Sequence, residues 1–440
     1  MREQVDLVIQ GGAVVTVDAA RRVITDGAVA VRAGTIVFVG KAAEAGERFA
    51  AQRTLGGPDK LVFPGLIDGH NHPIHFLSKG MIDDMAYPER WRDRVWPYES
   101  GLVESEAELA CTGTFLEMIR RGTTCFADPG TFHPDAVGRA ALRTGIRGVI
   151  SRLTWDVHDP TAPAEYNDDT AGAFDKASAV IDRWRGEGGG RLRAWFSLVR
   201  SSHVSEALVE LVREAAQARG VGIHSHLATT RTEFEAARER WGTTPVGRYR
   251  DLGLLARNAY LVHMGWLADE DVALLKAADA SVCHCPSASM FGGFGCIAHG
   301  KYPELVAEGV RVVLGTDACA VSRFLDMVRI MYLAACAHKD VKTDPTVIGA
   351  HKALEMATAD AAAALLWDDE IGSLEVGKRA DLVIADTDGI EWQPNPFDNP
   401  VGNLVYSSDG SGGFVAEANA ASRGIMARMG AGLRRPWVPQ

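Results

Sequence analysis

The 440-residue sequence has no sustained run of lysine or arginine, and its formal net charge is −11. An acidic chain without a basic stripe is poorly matched to a phosphate backbone or an anionic lipid surface. Nucleic acid and membrane are therefore not expected as partners, and a small-molecule ligand is the default. Also missing is any apolar span of about 18 residues, the length a membrane helix needs. The opening stretch, MREQVDLVIQGG, is charged at once and then alternates, without the apolar segment of a signal peptide. A cytoplasmic protein is the expectation. The seven cysteines are an odd number without paired spacing, which argues against a disulfide framework. Cys283-His284-Cys285 invites a zinc reading, but Cys296 alone does not supply the second pair of ligands, so buried thiols on a core strand are expected.

What is present is globular: 47% hydrophobic and 23% charged residues, with length for a large core and a second small one. Between about 63 and 370, strand-like runs alternate with stretches of helical period. The runs are LVFPGLIDGH (61–70), TTCFAD (123–128), IRGVISRL (146–153), RAWFSLV (193–199), VGIHSHL (221–227), AYLVHMGW (259–266), ASVCHC (280–285) and RVVLGTDA (311–318). Intervening segments such as VSEALVELVREAAQARG repeat apolar residues at three and four and end at glycine. Eight such units predict an α/β fold, a (β/α)8 TIM-like barrel. The flanks differ. Residues 3–58 and 372–385 show short, glycine-punctuated alternation, and the two chain ends, 1–62 and 371–440, are expected to form one small β-sandwich domain beside a barrel at 63–370. The last portion, GGFVAEANAASRGIMARMG, gives no clean strand signal.

In such a barrel the reacting groups sit at the C-terminal ends of the strands. His70 and His72 close the first candidate strand, His224 and His226 the fifth, His263 the sixth and Asp317 the eighth. Side chains two apart on a strand share a face, so each histidine pair can point into the barrel mouth together. Neutral imidazoles plus a carboxylate suit Zn²⁺, Fe²⁺, Co²⁺ or Mn²⁺ with a position open for water. A lone strand histidine is more often core than ligand; the combination is what carries the signal.

PGLIDGHNH (64–72), RGTTCFAD (121–128), HSHL (224–227), LVHMGW (261–266), HCPSAS (284–289) and GVRVVLGTDACAVSRFLDM (309–327) resemble the amidohydrolase superfamily, in the branch of nucleoside-type deaminases and triazine chlorohydrolases. The resemblance implies that His70, His72, His226 and Asp317 bind one catalytic divalent metal ion, zinc foremost. It further implies that His263 orients and polarises the attacking water while Asp317 takes its proton. Members of the family are commonly oligomeric, which leaves a homo-oligomer open.

Two positions depart from the branch. Where it carries a proton-shuttling Glu three residues after the fifth-strand histidine, this chain has Thr229, followed by Thr230. A hydroxyl cannot do a carboxyl's acid work. Glu233 lies one helical turn on and reads as a helix-surface acid. At the fourth strand, SLVRSSHVS places Arg200 and His203 where the branch tends to have a histidine. Arginine cannot become a carboxylated bridging ligand, so one metal is expected rather than two. Arg200 reads as a donor polarising a carbonyl or developing oxyanion, or as half of a salt bridge at the barrel mouth. Trp91, Trp96, Phe291 and Phe294, with Thr229, are candidates for the pocket wall. His284 and Ser289 occupy a family substrate-contact position in altered form.

The expected function is a metal-dependent hydrolase of a non-peptide C–N or related bond in a urea, carbamate or amide, with Asp317 handling the protons. The alternatives are a deaminase of a purine, pterin or triazine-like heterocycle that recruits Glu233 or another acid, and a catalytically silent homologue that binds metal and ligand.

Overall fold

The computed structural model describes residues 1–408 except 87, 88, 161 and 395, together with 415–416. Alternating apolar residues near the N-terminus build β1 (Glu3–Val15), β2 (Val23–Arg32), β3 (Thr35–Lys41) and β4 (Phe49–Pro64). Ala33 and Gly34 alone join β2 to β3, both at positive φ, 50° and 75°, the geometry of a two-residue hairpin turn.

Eight strands follow: β5 (Leu66–Asp68), β6 (Thr123–Ala127), β7 (Arg147–Thr154), β8 (Leu192–Leu198), β9 (Ile223–Leu227), β10 (Ala259–His263), β11 (Ser281–His284) and β12 (Arg311–Leu314). Each pairs parallel with the next. Hydrogen bonds from Gly69 N to Leu314 O (2.9 Å) and from Asp317 N to His70 O (2.7 Å) join the last strand to the first. This is the expected eight-stranded barrel. Its helices are capped by their own sequence: in Glu206–Arg219, between β8 and β9, the Ser205 side chain accepts from Leu208 N and left-handed Gly220 ends the helix.

One strand boundary differs from expectation. LVFPGLIDGH is two strands, its first four residues finishing β4 in the small sheet and Leu66–Asp68 opening the barrel. Gly65 makes the switch: a Cβ there would stand 2.1 Å from Thr124 Oγ1, so only glycine allows the crossing.

After the barrel, β13 (Leu382–Asp386) pairs antiparallel with β4, and β14 (Val415–Ala416) with β13. Both chain ends thus meet in one small β unit, a six-stranded mixed sheet in the order β14-β13-β4-β1-β2-β3. One face packs Ile9, Val29, Val62 and Leu382, the other Val8, Ala28 and Phe38. Between sheet and barrel, Arg147 Nε donates to Asp381 Oδ2 at 2.8 Å with both side chains almost wholly buried. Most of GGFVAEANAASRGIMARMG lies outside the described residues. Among the described residues no helix is long and apolar enough to cross a membrane.

Candidate metal centre

The ends of β5, β9, β10 and β12 bring the expected donors together. Asp317 Oδ1 lies 3.8 Å from His70 Nε2 and 3.6 Å from His72 Nε2, and Asp317 Oδ2 lies 3.9 Å from His263 Nε2. The His226 ring stacks on His72 with centroids 5.5 Å apart and meets the edge of His70 at 4.9 Å. Donor atoms of His70, His72 and His226 lie within 4.8 Å of one another, as do those of His70, His263 and Asp317. Bonds of about 2.1 Å to a shared tetrahedral ion separate its donors by about 3.4 Å, close to what these side chains already hold.

The local backbone is built for this convergence. A Cβ on Gly315 would sit 2.8 Å from His70 N, so glycine lets the end of β12 press against the end of β5. His263 and Asp317 both hold left-handed φ values, 71° and 65°, which are costly for residues with a Cβ and cluster at functional sites. The carbonyl of His263 accepts from the Tyr302 hydroxyl. Asp68, buried under the site, accepts from Thr316 N at 2.9 Å and from the Thr316 hydroxyl, fixing the turn that leads into Asp317.

Burial decides the protonation states. It holds His263 and His224 down to about 3, and His70, His72 and His226 well below the usual histidine range; neighbouring histidines add to the effect at His224, His70, His72 and His226, and the Arg200 and Arg90 charges add to it at His263. It also lifts the Asp317 carboxyl to about 6 against the opposing hydrogen bond from Ala318 N. Neutral imidazoles offer lone pairs, and buried His70 Nε2 has no hydrogen-bond partner among the described residues. The donor set fits a divalent cation by chemistry as well as by distance.

A cavity of about 300 Å³ opens beside these donors. Of the expected wall residues, Trp91, Thr229 and Phe294 line it, and so does Arg200, the expected polarising donor. Trp96, Phe291 and His284 do not, and the expectation for them is corrected. Trp96 packs beneath Trp91, ring centroids 5.3 Å apart, and against Trp155 and Tyr166. Phe291 is half-buried and packs against the hydrophobic core; past left-handed Gly293, Phe294 also packs there but lines the cavity as well. His284, the last residue of β11, is buried, stacked on Tyr302 at 3.8 Å and hydrogen-bonded to His338 Nε2 at 3.1 Å. Ser289 is also buried, its hydroxyl accepting from Cys296 N at 3.0 Å. Cys283, Cys285 and Cys296 are buried free thiols. His203 points to Ser202 Oγ (2.8 Å) and Asp159 Oδ2 (3.4 Å).

Glu233 overturns its own expectation. It lines the cavity rather than the helix surface, and its carboxylate accepts from Ala228 N at 3.1 Å and Thr229 N at 2.9 Å. The Thr230 hydroxyl accepts from Glu233 N at 3.2 Å at the start of the helix Arg231–Trp241. Thr230 thus caps the helix, and the Glu233 carboxylate folds back past the cap to the two residues before it. Burial raises the Glu233 pKa against the Arg200 charge and these N–H groups. The Arg200 charge also reaches His226 and His263. Three further residues on the wall carried no sequence signal. Buried His75 Nε2 meets Glu99 Oε1 at 3.0 Å, and buried Arg90 places its guanidinium 4.8 Å from the Phe294 ring centre.

Three comparisons bear on this geometry. The profile of the Amidohydrolase family matches residues 61–411. A 5-methylthioadenosine/S-adenosylhomocysteine deaminase of Moorella thermoacetica is 33% identical over 393 residues, 88% of this chain and 87% of the relative. A 5'-deoxyadenosine deaminase of Methanosarcina acetivorans is 30% identical over 408 residues, 92% of this chain and 89% of the relative. Among solved structures, an adenosine deaminase from Xanthomonas campestris with bound zinc superposes with a TM-score of 0.86 at 29% identity, covering 98% of this chain and 99% of that one.

Proposed function

The chain belongs to the amidohydrolase family and is a metal-dependent hydrolase of carbon–nitrogen or related bonds; from that premise we propose that it cleaves the acyl C–N bond of a urea, carbamate or amide. The observation that carries this is the state of the three cavity carboxylates. Glu99 is engaged by His75, and Glu233 by two backbone N–H groups. Asp317 alone stands among the clustered imidazoles. A heterocycle deaminase needs a second acid to protonate its ring, and Thr229 stands where that acid is expected. An acyl substrate needs instead a donor for its carbonyl oxygen, and Arg200 brings a permanent cation to the same wall.

His70, His72, His226 and Asp317 would hold one divalent ion, zinc foremost. Such an ion supplies Lewis acidity and makes a water nucleophilic near neutral pH. His263 orients that water, and Asp317 accepts its proton as the new C–O bond forms. Arg200 donates to the carbonyl oxygen, where negative charge gathers. Asp317 then returns the proton to the departing nitrogen, and the C–N bond breaks. Trp91 and Phe294 close the substrate against apolar surface and exclude bulk water.

Deamination of an aminated ring is the second reading, favoured by the activities named for the two relatives and by the presence of Glu233 in the cavity wall. A panel run on zinc-loaded protein separates the two. Amine release from N-substituted ureas, carbamates and amides supports the first; ammonia from purines, pterins or triazines, with none of those acyl compounds turned over, replaces it with the second.

A further inference from the structure

His224 shares β9 with His226 but takes no place among the candidate donors. It is wholly buried, and its Nε2 lies 3.1 Å from His70 Nδ1. Two neutral imidazoles in that contact share one proton. If His224 Nε2 carries it, His70 Nδ1 is the acceptor, and the hydrogen of neutral His70 sits on Nε2, aimed toward Asp317 and blocking the lone pair. If His70 Nδ1 carries it, His70 Nε2 is a bare donor facing Asp317 Oδ1 at 3.8 Å, and His224 bears its hydrogen on Nδ1. Only the second arrangement lets His70 bind a cation.

We propose that His224 is a positioning residue for the metal centre, accepting the Nδ1 hydrogen of His70 and so holding His70 in the tautomer that presents Nε2. The inference rests on His70 being a ligand, as in the proposed function. Ligating histidines usually direct their second nitrogen to a carboxylate, a carbonyl or water. Here the acceptor is another histidine, whose ring meets the edge of Tyr260 at 5.0 Å and whose Nδ1 has no hydrogen-bond partner among the described residues. Because His224 Nδ1 is without an acceptor, nothing in the structure favours a hydrogen there except the demand from His70. The same two rings can therefore exchange arrangements when the ion leaves, with no net gain or loss of protons.

The test is zinc affinity by competition with a chelator, read on the full chain with three variants. His224→Leu keeps bulk but removes the acceptor; His224→Gln places an amide oxygen near the site of Nε2. Affinity should fall about 10- to 100-fold in the Leu variant and return toward wild type in the Gln variant. Wild-type affinity in His224→Leu would overturn the proposal, as would a Gln variant no better than Leu. His70→Ala separates the premise: if it binds zinc as well as wild type, the ligand assignment fails, whatever His224 does. Should the His224 variants not fold, ¹⁵N shifts of the zinc-loaded wild type decide. A bare His224 Nε2 supports the proposal, and a protonated one refutes it.

Discussion

Replacing Arg147 tests whether the small sheet and the barrel are held in register by a buried charge pair. Arg147 opens β7, and Asp381 immediately precedes β13. Their two contacts measure 2.8 and 3.4 Å, and the side chains are 3% and 5% exposed. Burial is the largest single influence on the Arg147 pKa and pulls it down, but the charge and hydrogen bond of Asp381, with Cys125 and Glu370, together leave the value raised. The guanidinium also lies 5.0 Å from the ring centre of Trp367, and Asp381 O accepts from Gly65 N at 2.8 Å, next to the switch between the sheets. Arg147→Met keeps most of the stem but strands the carboxylate, so it should cost about 3–5 kcal/mol, the range for breaking a buried pair from one side. Asp381→Leu should cost a similar amount. The double variant should recover most of both losses, because well-packed apolar side chains often match a buried ion pair. Urea unfolding followed by tryptophan fluorescence, for the four proteins at one metal concentration, gives the cycle. Single-variant costs below about 1 kcal/mol, typical of a solvated surface pair, would refute the reasoning, as would a double variant whose loss equals the sum of the singles.

Arg200→Met should lower kcat for an acyl substrate by about 10²- to 10³-fold, the cost of a lost oxyanion donor, while metal content stays at the wild-type level; steady-state kinetics with metal analysis checks both. Thr229→Glu puts a carboxyl where the deaminase branch has one, and ammonia release from aminated heterocycles should rise above wild type in a coupled ammonia assay. Asp128 is buried, its pKa pushed up to about 8 by desolvation against the hydrogen bond from Gly130 N. Since the unfolded value is about 3.9, its contribution to stability is fully present below about pH 4 and is lost as pH rises through about 8. Asp128→Asn stays neutral, so between pH 5 and about 8 its urea midpoint should gain steadily on that of wild type and level off above that; parallel midpoints between pH 5 and 8 would contradict the shift.

The donors were legible because strand periodicity fixes which residues share a face, and strand ends mark the mouth of the barrel. That rule picked out His70, His72, His224, His226, His263 and Asp317 together; the family resemblance is what separated His226 from His224 and implied the roles. The first strand misled because LVFPGLI, its first seven residues, runs apolar without interruption; its Pro-Gly step marks the break, and tertiary pairing with β13 on one side and β6 on the other decides it. Thr-x-x-Glu marks Thr230 as a helix cap and Glu233 as an acid able to fold back over it, and its carboxylate reaches past the cap to Ala228 N and Thr229 N instead of outward. Arg90, His75 and Glu99 come from the irregular segment between β5 and the helix Glu104–Arg120, where no period relates sequence to direction. Trp96 and Phe291 lie in short helices, Trp96–Gly101 and Pro286–Gly292, where aromatic character predicts burial but too few turns exist for a period to say whether a ring faces the cavity or the core.

Metal analysis of purified protein against its His226→Ala and Asp317→Ala variants tests the centre most directly. One divalent ion per chain in wild type, with loss of both ion and turnover in each variant, is the expected result. Two ions per wild-type chain, or one ion and full activity retained in either variant, would contradict it.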